Sequence, residues 1–228
     1  MAELDLGIEY GRFGEVRFGA YRGKIRAWVD TGAADLPRFD DLQIGGLALQ
    51  AAYDTLDRPS IPHRGTQAVI RGRFARETFG AADSYDKVEM GAVKFVGFGR
   101  HTIWGSISAG GDLGSTIPLY DEFTMGGLLS LGGYAEEELR GATYRQAGTG
   151  YHFRLLQLPQ GLGEGVYAGI ILETGNTWAR ERDIDLGDLR YGVTAIVGAD
   201  TIAGPLLFAY GRGDGGRSRF YVTLGRSL

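Results

Sequence analysis

Hydrophobic side chains recur at every second residue through most of this chain. From residue 3 to 10, Leu4, Leu6, Ile8 and Tyr10 fall on one side and Glu3, Asp5 and Glu9 on the other, the period of a strand with one apolar face. The same alternation predicts strands over 15–29, 42–53, 66–76, 84–97, 101–110, 143–156, 166–175, 190–199, 205–211 and 217–228. No stretch has a helical period, so the fold expected is all-β and antiparallel, with about 11–12 strands. Two strands carry irregularities. The phase slips at Arg22-Gly23, which predicts a bulge there, and Gly45-Gly46 interrupts the strand over 42–53.

The two faces differ in chemistry. Ala68, Ile70, Gly72 and Phe74 oppose Arg71 and Arg73, and Ala147, Thr149, Tyr151, Phe153 and Leu155 oppose Gln146, His152 and Arg154. Strands of about 9–11 residues cross a bilayer, and lipid-facing and lumen-facing residues alternate along them. The membrane reading puts Leu4, Leu6, Ile8, Val166, Ala168, Ile170, Leu172, Phe220, Val222 and Leu224 against lipid. Arg71, Arg73, Gln146, His152, Arg154 and Glu173 then line a wet lumen. In a soluble closed barrel that holds a small apolar ligand, the second reading, these sets exchange places. Connection lengths favour the membrane: 11–14, 97–101, 157–164 and 200–204 are short and 30–41, 111–142 and 176–189 are long, as in barrels with short periplasmic turns and long outer loops. The connections at 54–65 and 213–216 break that alternation. Trp28, Trp104, Trp178, Tyr10, Tyr53, Tyr144 and Tyr210 lie at or near predicted strand ends, where interfacial girdles belong.

One connection stands apart. Residues 111–142 carry Phe123, Met125, Leu128, Leu129, Leu131 and Tyr134 among the pairs Gly126-Gly127 and Gly132-Gly133. Loops this long are functional or disordered, and a disordered one would not be so apolar. This composition predicts a loop folded back into the lumen as a plug, within a single domain over 1–228.

Composition narrows the chemistry. The chain has 39 glycines against 6 prolines and 43% hydrophobic residues, without a collagen period. Cysteine is absent, which excludes disulfides and thiolate metal sites. A net charge of −4 with no basic stripe argues against nucleic acid. No G-x-S-x-G elbow occurs, and the Asp-Gly at 214–215 is explained by a hairpin turn. His63, His101 and His152 lack metal-site spacing, and Glu136-Glu137-Glu138 and the acidic run at 183–188 read as solvated loops. No enzyme activity, cofactor or metal is expected. The start, Met1-Ala2-Glu3-Leu4, has neither a basic n-region nor an apolar h-region. It predicts either a cytoplasmic protein or a piece of a longer exported chain.

Five ordered stretches resemble a known family. FTMGG at 123–127 with LGGY at 131–134, ETGNTW at 173–178, DTLDRPSIPHRG at 54–65, GPLLFAYG at 204–211 and FYVTLG at 220–225 are similar to the plug loop, strand ends and last strands of the bacterial surface-antigen superfamily of outer-membrane β-barrels. PLYDEFTMGG, LGGY with a later ELRG, and the ending from Gly198 resemble most the barrels of patatin-like phospholipases of type Vd secretion. The resemblance implies a Gram-negative outer-membrane location and a role in anchoring or translocating a patatin-like lipase. The patatin and POTRA parts and the first barrel strands are missing, so the chain would be a fragment. It implies lipid bilayer or detergent and the outer-membrane assembly machinery as partners. It also implies Phe123, Gly126, Gly127, Leu131, Gly133 and Tyr134 as plug residues. The family's arginine before the Gly-aromatic pair is replaced by Gly132; Arg140 is the nearby arginine that could substitute for it and reach acidic lumen groups. Eleven strands would leave the first and last parallel at closure. That predicts a missed twelfth strand or pairing in a homodimer; a deliberately shortened barrel is a third reading.

Overall fold

The structure is a computed structural model that describes residues 2–27, 39–159 and 161–225. Eleven long strands form one antiparallel sheet: β1 (Ala2–Tyr10), β2 (Gly14–Ala27), β3 (Phe39–Asp54), β4 (Gly65–Ala75), β5 (Tyr85–Phe98), β6 (His101–Gly111), β9 (Thr143–Gln157), β10 (Gly163–Trp178), β11 (Arg190–Thr201), β12 (Gly204–Gly213) and β13 (Ser218–Leu224). Each pairs with its neighbour in chain order. The two short strands β7 (Phe123–Met125) and β8 (Leu139–Gly141) pair with each other inside the connection from β6 to β9.

The sheet is open. Among the described residues β1 and β13 each pair on one side only, so the closed barrel expected from the sequence is not formed. An odd number of antiparallel strands leaves β1 and β13 parallel, and closing them would put a parallel pair into an antiparallel ladder. Two local expectations are also corrected. The register of β2 against β3 is continuous through Gly23 and shifts between Ile25 and Ala27 instead. Gly45 and Gly46 do not interrupt β3, since the ladder runs straight through them.

Alternation sorts the side chains as the pleat requires. Leu4, Leu6 and Ile8 of β1 and Phe220, Val222 and Leu224 of β13 are exposed on the outer face. On β10, Ile170 is 44% exposed while its neighbour Ile171 is 1% exposed. Apolar rows therefore point away from the plug, the opposite of what a soluble ligand-binding barrel requires.

The inner face has two halves. Across β1 to β5 it is polar: Arg17 binds Asp5 and Glu15, Gln50 donates to Glu15, and Arg71 donates to Gln50 and bonds Glu89 at 3.2 Å. Across β5 to β12 it is dry, with Phe95, Trp104, Ile171, Ile196, Leu207 and Ala209 clustered around Leu128 of the plug. The plug, and not water, covers that wall. Trp104 belongs to this inner cluster, Tyr144 packs on Phe123 at 4.9 Å between ring centres, and Trp178 is buried. These three are not girdle residues. Tyr10, Tyr53 and Tyr210 are exposed, and Trp28 lies outside the described residues.

The segment 55–64 also turns inward. Asp57 caps its bend by accepting from the His63 and Arg64 N–H groups, Ile61 and Pro62 are buried, and Leu56 reaches the dry cluster. This explains its length: it covers one end of the inner face.

The two faces predict opposite responses to charge. Ile170→Arg, in the middle of an outward row, is expected to destabilise the protein refolded in lipid vesicles by about 2–4 kcal/mol. Gln67→Arg, on the inner face where Gln67 donates to Asp54, should change stability by less than about 0.5 kcal/mol. Urea titration of vesicle-reconstituted protein measures both; equal costs would contradict the facing assigned here.

Candidate functional site

The plug is tied to the wall along its length. Asp121, just before β7, accepts from Tyr85 Oη at 2.6 Å and from Lys87 Nζ at 3.0 Å, and pairs with Arg73 at 3.2 Å. Lys87 Nζ also sits 4.4 Å from the centre of the Phe123 ring. Phe123 and Met125 are buried, and Gln146 donates to the Leu129 carbonyl. Three strands of the wall, β4, β5 and β9, thus fix the first half of the plug.

The tip, Leu131 to Tyr134, is the most constrained part. Leu131 and Tyr134 have no solvent exposure, and Leu131 is held at φ 88°, a left-handed conformation that costs a non-glycine residue about 1–3 kcal/mol. The surroundings over-determine it. Gly132 N–H donates to Glu173 Oε2 at 2.9 Å, Gly133 N–H donates to Tyr221 Oη at 3.0 Å, and Tyr221 Oη donates to the Tyr134 carbonyl at 3.0 Å. Tyr134 Oη binds Asp214, and Arg217 lies 4.7 Å over the Tyr134 ring.

Contact here is backbone on backbone. A Cβ on Gly132 would lie 1.8 Å from Thr194 Oγ1, and one on Gly133 would lie 2.1 Å from the Gly213 nitrogen. The wall answers with its own glycines, since a Cβ on Gly192 or Gly211 would run into residues 131–133. Glycine on both surfaces lets them approach as closely as paired main chains do.

The ETGNTW stretch proves to be the docking strand. Glu173 takes the tip, Met125 occupies the space over Gly175, Asn176 holds the Asp188 carbonyl at 2.9 Å, and Trp178 backs Gly141. Glu173 has no cationic partner among the described residues; its donors are backbone N–H groups of the tip. Arg140 does not substitute. It donates to the Leu119 carbonyl and pairs with Glu137 at 3.7 Å, both within the plug, because its strand β8 faces it away from β10.

The structure brings Phe123, Gly126, Gly127, Leu131, Gly133 and Tyr134 into the plug and puts Gln146 and Glu173 in contact with it. Arg71 lies in the polar half, Arg73 on Asp121, and His152 and Arg154 near the inward-turned segment 55–64. Sequence reasoning missed Asp121, Thr194, Asp214 and Tyr221. Asp121 lies in the PLYDEFTMGG stretch, Tyr221 in FYVTLG and Asp214 in a hairpin turn, but none of these patterns showed what the residue would contact.

The model of the Omp85 superfamily domain matches residues 30–228. No curated protein sequence matches the chain. The fold is similar to the crystal structure of BamA from Haemophilus ducreyi lacking POTRA domains 1-3, with a TM-score of 0.72 at 14% identity, over 97% of this chain and 52% of that one. The chain thus spans about half the length of that structure.

Gly132→Ala is expected to displace the tip at a cost of about 1–3 kcal/mol, and Thr194→Ala in the same chain to restore much of it by removing the hydroxyl. Protease protection of residues 121–141 reads both. A second outcome concerns pH. Partial burial opposes ionisation of Glu138, but hydrogen bonds from Arg217 and the Ala135 N–H outweigh it, so its carboxyl titrates below its ordinary 4.5. A depressed carboxyl stabilises fully above its unfolded value and loses that contribution as pH falls through its folded value. Plug protection is therefore expected to weaken as pH drops below 4.5, and Glu138→Gln to remove this dependence.

Proposed function

Because the chain belongs to the Omp85 superfamily, we propose that it is the outer-membrane barrel portion of a longer protein, non-enzymatic itself, which anchors or passes a patatin-like lipase. The observation that carries the membrane part is the outward direction of the apolar rows on β1, β10 and β13. Support for the lipase part is narrower: the PLYDEFTMGG, LGGY and C-terminal stretches resemble barrels of that kind. In this reading the bilayer covers the outer face, and the assembly machinery inserts the chain. The unpaired edges of β1 and β13 fit either further strands of the parent or a second copy of this chain.

The plug would then hold the interior shut until the passing segment competes for the same wall. Backbone N–H donors on Glu173, with no cation beside it among the described residues, suit a plug that releases more readily than a salt-bridged one, since a charged pair in a dry site resists separation more strongly.

Two measurements test this. The protein refolded in detergent should migrate anomalously on a gel until boiled; a chain that is soluble without detergent and shows no such shift contradicts the membrane reading. In cells making the full-length parent, Leu172→Arg should abolish lipase activity at the surface while leaving the lipase active after release by proteolysis. Surface activity equal to wild type, or a parent with no lipase activity, overturns the anchoring role.

A further inference from the structure

At the end of the inner face that carries the short turns, the inward segment 55–64, the turn between β5 and β6, and strands β6, β9 and β10 enclose a cavity of about 240 Å³. Its lining carries three arginines, Arg58, Arg100 and Arg154, and two histidines, His63 and His152, with Tyr167 and Thr102 between them. Arg58 is partly neutralised by Glu164 at 3.5 Å, and the Asp57 carboxylate is taken up by two backbone N–H groups. Asp200 also interacts with Arg58 and is hydrogen-bonded by Ser60. Arg100 and Arg154 have no carboxylate within 4.0 Å among the described residues, so two guanidinium groups face one small space without counter-ions.

The site is built, not incidental. Arg154 lies against Gly165, where a Cβ would come within 3.1 Å of its Cδ, and its backbone N–H donates to the Arg100 carbonyl at 2.9 Å, which fixes the two side chains on the same side. His63 Nδ1 is 2.7 Å from Thr102 Oγ1, and a Cβ on Gly97 would strike the His63 ring. His152 is 2% exposed, stands edge-on to Tyr167 at 5.9 Å, and its Nδ1 has no hydrogen-bond partner. A buried polar atom left unpaired costs about 1–3 kcal/mol, so the missing partner calls for an explanation.

We propose that this cavity binds a phosphate-bearing anion, held by Arg100 and Arg154 and completed by the rings of His63 and His152. A tetrahedral oxyanion accepts from planar guanidinium forks and so removes the uncompensated charge; the orphaned Nδ1 of His152, whose other ring nitrogen is taken by the Pro62 backbone, is satisfied by a protonated phosphate oxygen, or by gaining a proton beside the anion. A carboxylate would satisfy one fork; a phosphate has oxygens for all four groups. The anion is either free phosphate or the head group of a phospholipid at this rim. Burial holds the His63 imidazole below its ordinary value, and an anion alongside would raise it.

The test uses the refolded full chain with ring-labelled histidines, followed by NMR. In zwitterionic detergent, inorganic phosphate should give a saturable shift of the His63 and His152 ring signals if the free anion is the ligand. If a head group is needed, the shift should instead appear in nanodiscs of phosphatidylglycerol and not of phosphatidylcholine. Either pattern supports the site, provided that Arg100→Gln and Arg154→Gln each weaken binding by about tenfold, Arg154→Lys weakens it less, and outward-facing Lys94→Gln leaves it unchanged. Arg100 is in an exposed turn, so its variant keeps the fold that the gel shift reports. No saturable shift with any probe, or affinities unaffected by either Gln variant in folded protein, overturns the proposal.

Discussion

Backbone-to-backbone contact between the plug tip and the wall is the constraint on which the rest of this structure depends. Gly132 and Gly133 lie directly on Gly192, Gly211 and Gly213, and no side chain larger than hydrogen fits at those crossings. Once the tip is there, Leu128 is carried onto Ile171, Ile196 and Leu207, and the inner wall from β5 to β12 becomes a dry core. Without the plug that same surface would be a broad apolar face open to water, at odds with the charged face of β1 to β5. The plug is thus as much a structural element of the wall as an occupant of the lumen.

Polar chemistry is then confined to where it can be satisfied. Asp121 is shared by Tyr85, Lys87 and Arg73 at the start of the plug, and Glu173 receives the tip. Other inner charges pair across neighbouring strands, as Arg71 does with Glu89, while the Nε of Arg190 is buried without a partner. Arg100 and Arg154 are set apart by lining one cavity together, which is why the space beside segment 55–64 draws attention as a place for an anion. At the edges, β1 and β13 keep one row each of main-chain groups unpaired among the described residues, an arrangement that isolated sheets avoid and that further strands would complete.

Much of this was legible in the sequence, for physical reasons. Period-two alternation identified the strands and their outward rows because one face of each meets a uniform environment. The apolar, glycine-paired composition of residues 121–141 announced a loop that must pack. The dry half of the interior was hidden by the same logic: in the VYAGIIL run of β10, Ile171 and Tyr167 look like their outward neighbours, so alternation assigns no contrast. Tyr221 and Thr194 sit in ordinary strand patterns, and their roles arise only from what the fold lays against them. The partners of Arg140 were not legible, since sequence proximity to LGGY says nothing about the direction of β8. Closure depends on strands pairing across the sheet ends, to which local pattern is blind.

The account rests on which way β10 turns its side chains, and the absence of native cysteine makes a direct measurement simple. Single variants Ile170→Cys, Ile171→Cys and Leu172→Cys, carrying a nitroxide label in vesicle-reconstituted protein, can be read for collision with oxygen dissolved in the lipid. Labels at 170 and 172 should collide strongly, and the label at 171 should be shielded from both oxygen and water-soluble relaxants. A label at 171 that meets lipid while its neighbours are shielded would contradict the outward apolar rows and the plugged interior together.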